Sequence, residues 1–167
     1  TWLVPLSIVS GKKMDNIDSF ILNSKSITID APKNANEGYL KVNYDTAGFY
    51  RVNYPKEHWK NLSELINKQL LKPTDRLSIQ SDAYALAKSR MISATVFLEL
   101  IKSYNDEKDF GVWSDLTTNM RSIDLLLRKT DLGKIYRNMC VETLKPIGEK
   151  LGWEVNNNEG HLESLLR

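Results

Sequence analysis

The sequence predicts an α+β fold, with β-strands in its first third and α-helices in the remainder. Before Pro55, apolar residues alternate with other residues, which is the period of a half-buried strand. After Pro55, apolar residues recur three and four positions apart, as they do along one face of a helix. We therefore expect β-strands in residues 1–54 and α-helices in residues 55–167.

The composition is that of a folded chain without a polyelectrolyte or membrane character. Of the 167 residues, 41% are hydrophobic and 26% are charged. The net charge is +2 and the longest basic run is Lys12-Lys13, so we expect no nucleic-acid partner. No apolar run approaches the roughly 20 residues of a membrane span. Cys140 is the single cysteine, which excludes an intrachain disulfide and favours the cytoplasm.

The first part contains short β-like runs separated by turn residues. Asp30–Gly38 is predicted to be a loop, and Asp45–Gly48 is predicted to be a hairpin turn. The tyrosines of this part are expected to pack across strands rather than to form a ligand platform. The runs are Trp2–Ile8, Phe20–Leu22, Ser26–Ile29, Tyr39–Tyr44 and Phe49–Tyr54, and the tyrosines are Tyr39, Tyr44, Tyr50 and Tyr54.

The second part contains a series of amphipathic segments with short connections. Such a series predicts paired helices stacked in a superhelix of HEAT or armadillo type. The apolar stripes are Trp59–Ile66, Leu77–Ala87, Val96–Tyr104, Trp113–Leu127, Leu132–Leu151 and Leu162–Leu166.

Capping and breaking residues set the expected ends of these helices. Thr74 or Asp75 is predicted to cap the second helix, and Ser93 the third. Pro146 should kink or split the fifth helix, because proline lacks an N–H and its ring collides with the preceding turn. Gly152 suits the position after that helix, and Asn158 is the expected cap of the last one.

The residues that could carry catalysis are few. A zinc peptidase needs two histidines one helical turn apart, but His58 and His161 are far apart in the sequence. Cys140 lies on the apolar stripe of its helix and is expected to be a core residue, because an activated thiol needs a neighbouring base. We therefore assign no catalytic, cofactor-binding or metal-binding residue to this chain.

Charged residues on the apolar second helix need partners. Asp75 and Asp82 lie seven residues apart and thus on one face. They could form an acid/base pair, but a structural ion pair or a cap is the favoured interpretation for them and for Arg76. Arg51 could bind a carboxylate or could bridge to the helices, and the bridge is favoured.

Several of these segments resemble one family. Gly48–Tyr54 is similar to the Gly-(Phe/Tyr)-Tyr-Arg-Val-Asn-Tyr strand of the gluzincin zinc aminopeptidases of puromycin-sensitive type. Asp75–Ala87 resembles their Asp-Arg-(x)5-Asp-Ala-(aromatic)-x-Leu-Ala helix. Trp2–Leu6 is similar to the strand that opens their β-sandwich, and Leu151–Trp153 with Leu165–Arg167 looks like their Leu-Gly-Trp…Leu-Arg region. The matches occur in the family's order along nearly the whole chain. The resemblance implies an antiparallel β-sandwich portion over residues 1–54 and the start of an α-helical superhelical domain over residues 55–167.

The resemblance implies that the chain is a noncatalytic C-terminal fragment of an enzyme that removes N-terminal residues from peptides. The family's Gly-Ala-Met-Glu-Asn and His-Glu-x-x-His motifs are absent from this sequence. Zinc would therefore belong to a catalytic domain outside this chain, and the chain by itself would not be an enzyme. Its partners would be that domain and the peptide substrates, since the family's helical domain encloses a cavity over the active site.

Two further expectations concern partners. A free-standing helical-repeat interaction module is the alternative function, because the helical periodicity alone would fit it. The apolar face of the last helix, with Leu162, Leu165 and Leu166, is expected to be partly exposed. Self-association of the isolated chain follows from that exposure.

Overall fold

The structure is a computed structural model, and it describes residues 2–30, 32, 39–154 and 159–167. Two sequence-based predictions fall outside these ranges. They are most of the Asp30–Gly38 loop and the Asn158 cap of the last helix.

A small antiparallel sheet forms the N-terminal part. Its strands are β1 (Val4–Gly11), β2 (Asn16–Leu22) and β3 (Tyr39–Val42), in the spatial order β2-β1-β3. In β1, Leu6 lies opposite Phe20 of β2, and Ile8 lies opposite Val42 of β3. The antiparallel sheet confirms the β part of the predicted α+β fold.

Three predictions for the first part of the chain are wrong: two of the strands and the hairpin turn at Asp45–Gly48. Ser26–Ile29 and Phe49–Tyr54 form no strand, and Tyr44–Thr46 is a single turn of 3-10 helix. Asn43 explains the turn, because its side chain accepts from the Gly48 N–H at 2.8 Å and donates to the Gly48 carbonyl at 2.9 Å. The Asn43 side chain thus makes the hydrogen bonds to Gly48 that the backbone of a paired strand would make in a hairpin.

Six α-helices follow in the described residues, one for each predicted apolar stripe. They are α1 (Lys56–Asn67), α2 (Pro73–Lys88), α3 (Ala94–Ile101), α4 (Phe110–Leu127), α5 (Leu132–Leu151) and α6 (His161–Leu166). The α part of the predicted fold is therefore confirmed.

The helix ends follow local chemistry, with two differences from expectation. Ser93 caps α3 as predicted, since its hydroxyl accepts from the Thr95 N–H at 3.3 Å. The predicted cap of α2 is wrong: this helix begins at Pro73, whose fixed φ suits the first helical position and whose missing N–H needs no partner. Pro146 lies inside α5 without splitting it, and Gly152, with φ of 64°, follows the last residue of α5 as predicted.

One hydrophobic core joins the helices to the sheet. Val9 of β1 and Tyr54 belong to the same buried cluster as the helical residues. The helical members include Trp59, Leu62, Leu65, Ile79, Phe97, Leu100, Trp113 and Leu116. In α5, by contrast, Leu132 and Ile135 of the predicted stripe are exposed, because this helix lies at the edge of the core.

We expect Leu116→Ala to lower the free energy of unfolding by about 2–5 kcal/mol, because it leaves a cavity in this core. Leu116 is 0% exposed, whereas Leu126 on the same helix is 78% exposed. Leu126→Ala is therefore the matched control and should change stability by less than about 0.5 kcal/mol. Urea unfolding followed by circular dichroism measures both, and equal effects would contradict the packing described.

Candidate functional site

The charged residues of α2 converge on three neighbouring elements. Asp75, Arg76 and Asp82 are all buried, although α2 is otherwise a helix of the core. A buried charge is costly unless it is paired and hydrogen-bonded. The partners of these residues come from β3, from the segment after the 3-10 turn and from the loop before α4. We refer to the part formed with β3 and the following segment, residues 41–52 and α2, as the sheet–helix junction.

Asp75 forms a buried ion pair with Lys41 of β3. Lys41 Nζ lies 2.9 Å from Asp75 Oδ1, and both side chains are almost completely shielded from solvent. Lys41 also donates to the carbonyl of Asn43 at 2.6 Å and to that of Val42 at 3.1 Å. Burial lowers the pKa of Lys41 from its usual value, and the Asp75 carboxylate opposes that effect.

The turn after β3 is held against the start of α2. Asn43, Asp45 and Thr46 all have left-handed backbone angles, with φ between 54° and 62°. The Asp45 N–H donates to Asp75 Oδ1 at 2.7 Å, and the Asp45 carboxylate accepts from Lys72 Nζ at 2.8 Å and Thr74 Oγ1 at 2.6 Å. These contacts oppose the cost of the left-handed conformations, which only a surrounding structure can maintain.

Asp82 binds the segment that the sequence predicted as the last strand. Its Oδ1 accepts from Arg51 Nη1 at 2.9 Å, and its Oδ2 accepts from the Val52 N–H at 3.0 Å. Burial raises the pKa of Asp82, while these two hydrogen bonds act in the opposite direction. Asp82 of α2 thus accepts from the Val52 N–H, which would donate to a neighbouring strand if this segment were part of the sheet. The predicted bridge from Arg51 to the helices is confirmed.

Arg76 clamps the loop between α3 and α4. Its Nε and Nη2 atoms donate to the two carboxylate oxygens of Glu107 at 2.6 and 2.8 Å, and Nη1 donates to the Leu71 carbonyl at 2.5 Å. Glu107 Oε1 also accepts from the N–H groups of Lys108 and Asp109. Burial would raise the pKa of Glu107, but the hydrogen bonds from Arg76 and these N–H groups outweigh it and lower that pKa.

A network of side-chain hydrogen bonds joins α2 to α4. Gln80 donates to Asp115, and Asn119 Nδ2 donates to Gln80 Oε1 at 3.0 Å. Asn119 also donates to Asp115 at 3.1 Å. The network fixes the pairing of the two helices, because each polar group in it depends on the position of the other helix.

These contacts decide how the charges of α2 are used. The ion pairs predicted for Asp75, Arg76 and Asp82 are confirmed, and each carboxylate serves a different cation. Asp75 pairs with Lys41 and Asp82 pairs with Arg51, so the two carboxylates have separate partners. The assignment of no catalytic residue to the chain stays a prediction.

The tyrosines contact helices more than they contact one another. Tyr39 donates to Glu64 Oε2 at 2.7 Å and accepts from Lys68 Nζ at 2.6 Å, both on or next to α1. The Tyr54 hydroxyl bonds to the backbone of Val42, accepting from its N–H at 3.0 Å. Burial raises the pKa of Tyr54 above its usual value. For Tyr39 and Tyr54, the expected packing across strands is thus replaced by contacts between β3, the segment before α1 and α1 itself.

The histidines and the cysteine each have different surroundings. The His58 ring stacks on Tyr54 with ring centroids 4.8 Å apart, and its Nε2 lies 2.6 Å from the Leu40 carbonyl oxygen. His161 begins α6 and is exposed. Cys140 is half-buried, and burial raises the pKa of its thiol.

The described residues do not offer the ligand set of the zinc ion that the family resemblance implies. Within the described ranges, His, Cys, Asp and Glu form no group of three or more that could hold a metal ion. A zinc site needs three or four such ligands on one centre. No step of a reaction is therefore assigned to these residues through a metal.

An apolar groove lies between α4, α5 and α6. Its volume is about 880 Å³. We call it the α4–α6 groove, and its lining includes Met120, Cys140, Leu144, Ile147, Leu151 and Leu166. Leu162 and Leu165 are exposed and Leu166 is half-buried, so the expected partial exposure of the α6 face is confirmed.

Sequence reasoning missed the partners that complete the charged contacts. Lys41 lies within an ordinary strand pattern, and Glu107 lies in a loop 31 residues from Arg76. The one available signal was the presence of charges on the apolar helix, which requires partners without naming them. Asp45 gave a weaker signal, since turns often contain aspartate.

The fold and the junction define a mixed sheet-and-helix domain whose buried charges organise packing. The sequence pattern of the ERAP1-like C-terminal domain family matches residues 39–167. The chain therefore belongs to the ERAP1-like C-terminal domain family. The match begins at the first residue of β3, so it includes the sheet–helix junction together with the helices.

Similar curated proteins are aminopeptidases. Aminopeptidase M1-B of Oryza sativa subsp. japonica is 29% identical over 99% of this chain and 20% of its own length. Human glutamyl aminopeptidase is 30% identical over 100% of this chain and 18% of its own length. Aminopeptidase A of Gloydius brevicauda is 31% identical over 99% of this chain and 18% of its own length.

The chain thus spans about a fifth of the length of the curated relatives it matches. None of the helices in the described ranges is both long and apolar enough to cross a membrane.

We expect Glu107→Gln to lower the free energy of unfolding near neutral pH. We also expect the free energy of unfolding of this variant to depend less on pH than that of the wild type. The folded-state pKa of Glu107 is below its usual 4.5, so the carboxylate stabilises the fold above that pH and this contribution is lost as pH falls through the folded-state pKa. The difference in unfolding free energy between the wild type and Glu107→Gln should therefore shrink on acidification.

Urea unfolding at a series of pH values measures this difference. Glu57→Gln is the control, since Glu57 forms an exposed pair with Lys60. A wild-type advantage over Glu107→Gln that stays constant down to about pH 3 would contradict the assigned role of Glu107.

We expect Lys41 and Asp75 to be strongly coupled in a double-mutant cycle. Lys41→Met leaves Asp75 as a buried, uncompensated charge, which should cost about 3–5 kcal/mol. The double variant Lys41→Met/Asp75→Leu should be more stable than the sum of the single changes by about 1–3 kcal/mol. Additive effects in urea unfolding would show that the two groups do not interact as described.

Proposed function

We propose that this chain is a noncatalytic C-terminal part of a zinc aminopeptidase that removes N-terminal residues from peptides. The observation that carries the proposal is the family match over residues 39–167. The aminopeptidase names of relatives similar over 99–100% of the chain support it. The whole enzyme's activity belongs to a polypeptide about five times as long as the matched region.

The geometry supports a structural rather than a chemical role within that enzyme. The charges of the Asp75–Ala87 motif are used in ion pairs between α2 and its neighbours. The metal ligands and the acid or base would come from a catalytic domain outside this chain, which would be its partner in the same polypeptide.

The helical part would help to enclose the cavity that receives peptide substrates. In this proposal the sheet belongs to a β-sandwich, and α1 to α6 open an α-helical superhelix. The sequential packing of α2 on α3 and α4, and of α4 on α5 and α6, supports this stacking. The sheet–helix junction would hold the helices that enclose the cavity in a fixed orientation relative to the β-domain.

The subtype and the compartment are finer parts of the proposal. The Gly48–Tyr54 and Asp75–Ala87 motifs support the puromycin-sensitive type, whereas glutamyl aminopeptidases are among the similar relatives. A cytoplasmic location is supported by the single cysteine, Cys140, which leaves no partner for an intrachain disulfide. The alternative of a free-standing interaction module has no support from the names of these relatives.

The test compares this chain with the protein encoded by the complete open reading frame. We expect the longer protein to contain a His-Glu-x-x-His motif before this region and to release nitroaniline from aminoacyl nitroanilides. Removal of zinc with 1,10-phenanthroline should abolish that release, and added zinc should restore it. The isolated chain should release none.

Two outcomes would overturn the proposal. One is zinc-dependent release of N-terminal residues by the isolated chain. The other is a complete reading frame without a metal-binding motif outside this region. The circular dichroism spectrum of the isolated chain is the control for its folding in either assay.

A further inference from the structure

We propose that the turn after β3 is a strained latch, which closes against the start of α2 and opens as a local unit while the rest of the chain stays folded. The latch consists of residues 43–48 and of the three residues that hold them, Lys72, Thr74 and Asp75. This inference goes beyond the aminopeptidase proposal and does not depend on it, because every contact that carries it lies within the sheet–helix junction.

The strain lies in the backbone of the turn. Asn43, Asp45 and Thr46 have φ of 62°, 56° and 54°, in the left-handed region. Asparagine and aspartate adopt these angles more readily than other residues, because their short polar side chains can bond locally. Threonine is branched at Cβ, and for such a residue these angles are exceptional. The turn would therefore leave this conformation if its contacts were removed.

Hydrogen bonds to the start of α2 hold the turn in these angles. The Asp45 N–H donates to Asp75 Oδ1 at 2.7 Å. The Asp45 carboxylate accepts from Lys72 Nζ at 2.8 Å and from Thr74 Oγ1 at 2.6 Å. Thr46 Oγ1 donates to the Thr74 carbonyl at 3.1 Å. All of these partners lie within residues 72–75, so the turn is fastened to α2 at one place.

Most of this fastening is open to competition from water. The side chains of Lys72 and Asp45 are 50% and 41% exposed, and exposed ion pairs contribute little to stability. By contrast, the ion pair between Lys41 and Asp75 is almost completely shielded, and Lys41 lies in β3, before the turn. Opening of the turn would therefore break the exposed contacts and leave the buried pair in place.

Asn43 couples the two ends of the turn. Its side chain accepts from the Gly48 N–H at 2.8 Å and donates to the Gly48 carbonyl at 2.9 Å. When the backbone of Asn43 leaves its left-handed angles, these hydrogen bonds are lost together with those of Asp45 to α2. Residues 43–48 would therefore open as one unit.

The latch sets how firmly the sheet is attached to the helices. The pair of Lys41 with Asp75 and the hydrogen bonds from Arg51 and Val52 to Asp82 attach the same two parts. In the open state these attachments remain, so α2 is released from the turn without a change in the register of β3. The closed latch is then the state in which the junction holds its orientation. Backbone strain that the surrounding structure maintains is typical of such switching segments.

Residue-resolved amide hydrogen exchange of the folded chain tests the proposal. We expect the amides of Asp45 and Gly48 to exchange through one local opening that low urea does not promote, because such an opening exposes little surface. Thr74→Val removes the hydroxyl that donates to Asp45 and should make both amides exchange about three- to tenfold faster. The Val52 amide, which donates to Asp82, is the reference within the same molecule and should not change.

Thr95→Val is the matched control for Thr74→Val. Thr95 is the second residue of α3, as Thr74 is of α2, and both are exposed. The control should leave the exchange of Asp45 and Gly48 unchanged.

A second pair of variants tests the strain itself. Thr46→Val and Thr46→Asn both remove the hydroxyl that donates to the Thr74 carbonyl, but only valine keeps the branch at Cβ. We therefore expect the Asp45 amide to exchange about tenfold more slowly in Thr46→Asn than in Thr46→Val. Thr46 is exposed, so both variants should remain folded by circular dichroism.

Three results would overturn the proposal. The first is exchange of the Asp45 amide only by global unfolding, at the rate of the core amides and with their urea dependence. The second is an effect of Thr74→Val that is absent, or that is equally large at Val52, since the turn would then not be a separate unit. The third is equal exchange of Asp45 in Thr46→Asn and Thr46→Val, which would show that the turn is not strained. None of these results bears on the aminopeptidase proposal.

Discussion

The pairing of the buried charges on α2 is the constraint on which the rest of the structure depends. Asp75, Arg76 and Asp82 enter the interior on one helix, and each must be compensated there. Lys41 and Glu107 supply the compensation from β3 and from the loop before α4. Because these partners come from both sides of α2 in the sequence, the helix fixes the positions of the elements that precede and follow it.

Such pairs specify an arrangement more than they add to its stability. Taking two charges out of water costs several kcal/mol, and the attraction between them roughly offsets that cost only when the geometry is good. A shifted register would leave Lys41 or Asp75 buried without a partner, which is much less favourable than the observed pair. The sheet and the helices are therefore held in one arrangement around a common core.

Charge and apolar surface are distributed differently in two regions of the chain. Around α2, the three buried charged side chains pair with internal partners, although Asp75 Oδ2 itself has no hydrogen-bond partner. Around α5 and α6, apolar side chains remain open to solvent, with Trp153 and Leu165 beside the groove. The first region explains how the sheet and the helices are joined, and the second is an exposed apolar face.

The sequence by itself determined the α+β class, the six helical segments and the need to compensate Asp75, Arg76 and Asp82, because periodicity and buried charge are local properties of the chain. Only the tertiary structure decided that residues 49–54 bond to Asp82 rather than to a strand. It also decided that Lys41 and Glu107 are the partners. The reason is that contacts between distant residues depend on the path of the whole chain, which no local pattern encodes.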